Sequence, residues 1–168
     1  IKEFVTTMTK EKDPINEPTF FIGDVLEMHI EISIQYCNKS YNENVLSFVN
    51  NIRTRDGGTH EVGFRAAMTR AINDHARLIG ILKDKDPNLD GADIREGLTA
   101  VISVRIPENL LQFEGQTKNK LGTPEARNAV EMVITEKLKF FLAENGEISN
   151  TLINNAIRAS KAREAARK

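Results

Sequence analysis

Two periodicities divide the chain. Ile1, Phe4, Val5 and Met8 recur three and four residues apart, which predicts a helix ending near Thr9. Residues 19–22 read as a short strand closed by a Gly23-Asp24 turn. Leu26, Met28, Ile30, Ile32, Ile34 and Tyr36 then alternate with Glu27, His29, Glu31, Ser33 and Gln35, the pattern of a strand with one buried and one wet face. Turn-rich residues 38–44 lead to a second strand over 45–52, expected to form a hairpin with the first. Residues 61–82 carry the longest amphipathic helix, with Phe64, Met68, Ala71, Ile72, His75, Ile79 and Leu82 on one face. A charged loop over 83–93, punctuated by Pro87 and Gly91, separates it from the nearly continuous apolar strand 98–106. That strand suits a central position buried on both faces.

Beyond Pro107, residues 110–113 lead into a polar loop that ends at Thr123-Pro124, a helix start with Thr as N-cap and Pro at the first helical position. The helix that follows places Ala126, Val130, Val133, Ile134, Leu138 and Phe141 on one side and stops at Asn145-Gly146. Ser149 is expected to cap a last helix, which buries Leu152, Ile153, Ala156 and Ile157 and then turns basic and Ala-rich. The order of elements predicts an α+β fold: a mixed four-stranded sheet with helices packed on one face, plus a long C-terminal helix.

At 168 residues the chain suits one well-buried domain, and a formal charge of −1 gives no global field for nucleic acid, so any DNA contact must be a local patch. One cysteine, Cys37, excludes an intramolecular disulfide and a cysteine-based zinc site, and it reads as a buried thiol. No run approaches the ~20 apolar residues of a membrane span. A chain that opens on Ile1 and stops inside a helical pattern reads as a piece of something longer, at home in a reducing cytosol.

Three segments carry candidate chemistry. In Glu114-Gly115-Gln116-Thr117-Lys118-Asn119-Lys120-Leu121-Gly122, two lysines and three neutral hydrogen-bonding side chains sit between glycines. By composition this is either a solvated connection or a polyanion site; it lacks the Gly-x4-Gly-Lys-Ser/Thr order of a phosphate loop. Asp56-Gly57-Gly58-Thr59 could offer free N–H groups to an anion or simply lead into the helix, with His60 packing or capping. On the 61–82 helix Arg70 and Arg77 fall opposite the apolar face, with Asn73 between them and Arg65 on the flank. Such a stripe serves solubility or tracks phosphates. His29, on the wet strand face, reads as solvated surface.

Gln-Thr-Lys within residues 113–122 resembles the switch loop of the B subunits of bacterial type II topoisomerases, DNA gyrase and topoisomerase IV. Residues 44–54, Asp56-Gly57-Gly58-Thr59-His60, 63–70, 95–100 and 162–168 resemble the same family in the same order, so the likeness covers essentially the whole chain. Residues 107–113 and 139–147 look more like the topoisomerase IV member than the gyrase one.

The resemblance implies the transducer domain of such an enzyme over 1–148, built on a left-handed βαβ unit. Residues 149–168 would be a connecting helix toward the cleavage domains. It implies a separate N-terminal GHKL-type domain that holds Mg-ATP, with Gln116 and Lys118 reaching its γ-phosphate and no complete catalytic site here. ATP and Mg2+ would be the cofactors of the longer protein, none bound by this piece alone. Arg65, Arg70 and Arg77 would be candidates for the cavity that admits a DNA duplex. The implied partners are that duplex, the GHKL domain of the same chain, the A-type subunit and a second copy of the longer chain in a homodimer. The competing readings are a related GHKL clamp ATPase, or a non-enzymatic nucleic-acid or scaffold module. Against the module stand the near-neutral charge, two tyrosines and no tryptophan for base stacking.

Overall fold

The computed structural model describes residues 14–16, 19–37 and 42–167; the helix expected over 1–9 lies outside them. Five strands form one mixed sheet in the order β1-β2-β5-β3-β4: β1 Thr19–Val25, β2 Met28–Tyr36, β3 Asn44–Val49, β4 Ile52–Arg53 and β5 Leu98–Arg105. The helices are α1 Thr59–Leu78, the short α2 Gly91–Ile94, α3 Pro124–Glu144 and α4 Gly146–Arg167.

The apolar run 98–106 takes the centre of the sheet, antiparallel to β2 and parallel to β3. The hairpin expected between β2 and β3 does not form, because β5 lies between them. A strand with Leu98, Ala100, Val101, Ile102 and Val104 all buried gains more from neighbours on both edges than either half-polar strand would.

The β1–β2 turn is Leu26-Glu27, with φ of 51° and 66°, and not Gly23-Asp24. Both central residues of this two-residue turn lie in the left-handed region, which normally calls for Asn or Gly, so the sequence signal pointed elsewhere. Gly23 pairs with Ile30 inside the strand, and a Cβ there would lie 2.8 Å from a Val133 methyl of α3. Its lack of a side chain lets helix and sheet approach. Asn50-Asn51, with φ of 50° and 70°, makes a second such turn and folds the end of the expected 45–52 strand back as β4, the fifth strand.

Helix α1 stops at Leu78 rather than continuing to 82, because Gly80 takes φ 83° and the Ile81 and Leu82 amides fold back onto the Ala76 carbonyl. Phe64, Ala67, Met68, Ile72 and Ala76 bury its apolar face, while His75 is half-buried and Ile79 exposed. Helix α3 starts beside it: Thr59 Oγ1 donates to the Thr123 carbonyl at 2.6 Å, and a Cβ on Gly63 would sit 2.4 Å from the Arg127 carbonyl oxygen. The two helices cover the sheet face formed by Phe21, Met28, Ile30, Ile32 and Ile34.

The opposite face is drier than the alternation predicts. Ser33 and Gln35 are buried, and the Gln35 amide donates to the Asn16 carbonyl. The segment at 14–16 bonds along the end of β2, and Leu46 and Val101 form a second apolar cluster with Phe48 against it. Cys37 is buried, as expected.

Helix α4 begins at Gly146, so Ser149 lies within its first turn. The Ser149 hydroxyl bonds to the Leu142 and Asn145 carbonyls and so ties α4 to the end of α3. Leu152, Ile153 and Ala156 seat this helix in the core. Farther along it, Arg163 reaches Asp93 at 2.9 Å and Asp90 at 2.8 Å. No described helix is long and apolar enough to cross a membrane.

Candidate functional site

The polar loop and the Gly-Gly turn, far apart in sequence, are one structural unit. Phe113 pairs with Leu121 across the loop's neck, the Glu114 amide donates to the Lys120 carbonyl, and Gly122 N–H donates to the Gln112 carbonyl. Leu121 is also bridged to Gly58: its amide donates to Gly57 O at 3.0 Å, its carbonyl accepts from Thr59 N–H at 3.1 Å, and Asp56 N–H donates to Asn119 O at 2.9 Å. Gly58 has φ 138°, and a Cβ on it would fall 2.4 Å from the Leu121 carbonyl oxygen, so no other residue type fits this contact. The loop is thereby anchored to the start of α1 on one side. On the other, through buried Thr123, whose hydroxyl bonds to the backbone of Leu110 and Gln112 instead of capping, it is anchored to the start of α3.

Beyond this neck the tip is open. Gln116, Thr117 and Lys118 are all exposed, Gly115 turns at φ 79°, and among the described residues neither Gln116 nor Lys118 has a hydrogen-bond or ion-pair partner. The second lysine differs: Lys120 pairs with Glu114 at 3.1 Å and faces the Asp56-Gly57-Gly58 turn. The tip can offer an ammonium and an amide to an incoming anion without breaking an existing bond.

Behind the turn lies a buried polar cluster. His60 is fully buried; its Nε2 bonds to Thr54 Oγ1 at 3.0 Å, while Nδ1 has no partner among the described residues. Desolvation pushes its pKa down to about 4, so the ring is neutral at neutral pH. Thr54 Oγ1 also contacts Ser47 Oγ at 2.7 Å, and Ser47 donates to Glu61 Oε2 at 2.5 Å. Glu61 in turn holds Arg65 at 3.2 Å, and Glu43 lies 3.6 Å from Arg65 and 2.8 Å from Arg95. Sequence reasoning passed over Glu43, Glu61 and Ser47; only the position of Glu61 four residues before Arg65 could have flagged that pair.

The three arginines of the helical stripe meet different environments. Arg65 is partly exposed and held by two carboxylates, and Arg70 is exposed with no partner among the described residues. Arg77 donates to the Lys83 and Asp86 carbonyls and twice to Asn88 Oδ1. The 83–89 loop lies across this side of α1, where Asn73 is buried and bonds to both backbone groups of Leu89. The surface expected to be open between Arg70 and Arg77 is therefore covered. His29 is paired rather than merely solvated: Asp24 at 2.8 Å and Glu31 at 3.3 Å raise its pKa.

The profile of the DNA gyrase B family matches residues 1–168. The chain is 60% identical over 166 residues to the B subunit of DNA topoisomerase 4 from Staphylococcus epidermidis (strain RP62A), covering 99% of this chain and 25% of that protein. It is 59% identical, with the same coverage, to the protein of that name from Staphylococcus aureus (strain MW2). The crystal structure of the 43K ATPase domain of Thermus thermophilus gyrase B in complex with an aminocoumarin matches with a TM-score of 0.90 and 39% identity. That match covers 99% of this chain and 44% of that one. The chain thus spans about a quarter of the length of the curated relatives it matches.

Proposed function

Because the chain belongs to the DNA gyrase B family, we propose that residues 1–148 are the ATP-sensing transducer domain in the B subunit of a type II DNA topoisomerase. Residues 149–168 are the connecting helix toward its DNA-cleaving part. The observation that carries this reading is the architecture of the 113–122 loop: an unengaged Gln116 and Lys118 at the tip, and a neck bonded to the starts of α1 and α3. A ligand held at the tip therefore pulls on the first turns of α1 and α3.

The donor set at the tip fits a terminal phosphate. Lys118 supplies a full positive charge and Gln116 an amide N–H, and no carboxylate of the tip opposes them. ATP bound to the GHKL domain of the same longer chain would present its γ-phosphate there, with hydrolysis driving the change in DNA topology. Mg2+ would be held with the nucleotide by groups of that other domain. Lys118 orients the phosphate and offsets charge that develops on it, and Gln116 holds a second oxygen. Loss of the phosphate frees the tip and lets the helices move as a body, a ligand-held two-state switch. Arg65 and Arg70 contact the duplex admitted between two copies of the longer chain, and Arg77 contributes through the loop it holds. An A-type subunit completes the enzyme, which works in the cytoplasm.

The deciding comparison is Lys118→Ala against Lys120→Ala in the full-length protein. Lys118→Ala is expected to cost roughly 2–4 kcal/mol of transition-state stabilisation in ATP hydrolysis, the scale of one lost preorganised donor. It should affect binding at the adenine end much less. Lys120→Ala should leave a far smaller defect, because Lys120 is turned toward Glu114. Equal losses would mean a generally basic loop, and no loss from Lys118→Ala would remove the switch.

A further inference from the structure

We propose that Arg163, held between Asp90 and Asp93, is a positioning residue that fixes the far part of α4 to the body of the domain, so that α4 carries the domain's movement onward instead of swinging free. The proposal rests on the reading of residues 149–168 as the connecting helix and names the contact through which that helix is driven.

The start of α4 is joined to α3 by the Ser149 hydroxyl, and Leu152, Ile153 and Ala156 bury its next turns. Ile157 is the last apolar side chain of α4 that packs on the core. Among the described residues from 158 to 166, Arg163 alone makes a hydrogen bond or ion pair with a residue outside α4. It stands about 9 Å beyond Ile157 along the axis, at about 1.5 Å per residue. One side chain therefore decides whether the last turns follow the domain.

The receiving end is buried. The Asp93 side chain is 7% exposed, and the hydrogen bonds its carboxylate accepts come from Arg163: Nε donates to both oxygens at 3.4 and 3.3 Å, and Nη2 to Oδ2 at 2.9 Å. Asp90 Oδ2 lies 2.8 Å from the same Nη2. A carboxylate taken out of water needs such a partner, and a planar guanidinium fork holds it in one orientation where an ammonium would swivel.

Both aspartates belong to a segment fixed from two further sides. Directly before Asp90, Asn73 of α1 grips both backbone groups of Leu89, at 2.8 and 3.1 Å. Directly after Asp93, the Ile94 carbonyl accepts from the buried Tyr36 hydroxyl of β2 at 2.8 Å. Arg163 thus attaches α4 to the sheet and to the helix whose first turn is bonded to the 113–122 loop. Joined to α3 alone, α4 could pivot about its start; joined also through Asp93, it turns with the rest as one rigid body.

The test uses the full-length protein with its A-type subunit and measures ATP turnover with DNA, strand-passage events per ATP and the thermal midpoint. Asp93→Asn, Arg163→Gln and the double variant are compared with Lys161→Gln, an exposed lysine of the same stretch, and with two glycines inserted after Ser160. Arg163→Gln strands the buried Asp93 charge and should lower the midpoint, and the double variant, which removes that charge, should recover it. Strand passage per ATP should fall about tenfold in both single variants and no further in the double, within the usual range of coupling between sites, while ATP turnover stays near that of the parent. If coupling recovers in the double variant along with the midpoint, the pair is only structural and the proposal fails. It fails too if ATP turnover drops in proportion, since the pair then acts on the nucleotide site. If the Asp93 and Arg163 variants match Lys161→Gln while the glycine insertion uncouples, the clamp is wrong and the connecting helix stands. A silent insertion would remove the connecting-helix reading itself.

Discussion

His60 shows how one residue's environment sets a measurable property of the fold. Its ring is fully buried with one nitrogen bonded to Thr54 and the other unpartnered, so protonation would strand a charge away from water. Its folded-state pKa of about 4 lies below the 6.5 of an unfolded histidine. The stabilising contribution is therefore complete above pH 6.5 and is lost as pH falls from there toward 4. The shift corresponds to roughly 3 kcal/mol at about 1.4 kcal/mol per unit. His29 has the opposite sign: its pKa is raised by Asp24 and Glu31, so its contribution is present below 6.5 and lost as pH rises through its folded value. That contribution is small, because Asp24 is largely exposed. Urea midpoints measured between pH 7.5 and 4.5 should fall more steeply for the parent protein than for His60→Gln, which keeps a hydrogen-bonding group but no titration. Identical slopes would show that the ring is not held neutral. The sequence allowed His60 a packing role; its neutrality comes from burial, with Thr54 its hydrogen-bond partner, and only the fold buries the ring.

Two glycines set how the elements fit. Gly63 lies on the face of α1 toward α3, where an added Cβ would be 2.4 Å from the Arg127 carbonyl oxygen and 3.1 Å from its Cα. The obstacle is backbone, so the helices would have to separate. Gly63→Ala should destabilise by about 1–3 kcal/mol, the usual range for overpacking, despite alanine's better helix propensity. Gly58→Ala should cost more. It adds a positive-φ penalty to a clash with three backbone atoms of Leu121 within 2.8 Å. Denaturant midpoints check both, and a neutral Gly58→Ala would mean that the turn and the loop are not joined as described. Local pattern reading located most elements but misplaced several ends. The Leu26-Glu27 turn carries no turn chemistry, whereas Gly80 and Asn50-Asn51 carried usable signals that the apolar periodicity outweighed.

At the scale of the whole molecule, the 168-residue chain would hold only one side of the proposed phosphate site. It should neither hydrolyse ATP nor bind it with more than weak, salt-sensitive affinity, and it should sediment as a monomer. Calorimetry that found sub-micromolar, adenine-specific binding would sink the assignment of the nucleotide site to a separate domain. A stable dimer would show that the contact between copies lies in this part of the chain.

Most of the apolar residues that turn inward, where most helices begin, and the motifs that tie the chain to its family could be read along the chain. Each depends on neighbours within a turn or two, or on residue identities in order. The order of the strands, the union of Gly57-Gly58 with Leu121 and the separate fates of Arg65, Arg70 and Arg77 could not. Each is set by a partner outside the element concerned: β5 enters between β2 and β3, the 83–89 loop claims Arg77, and Glu43 claims Arg65. A periodic pattern states that a face will be covered. Long-range packing chooses what covers it, because burial is non-directional and the choice falls to whichever surface completes the core.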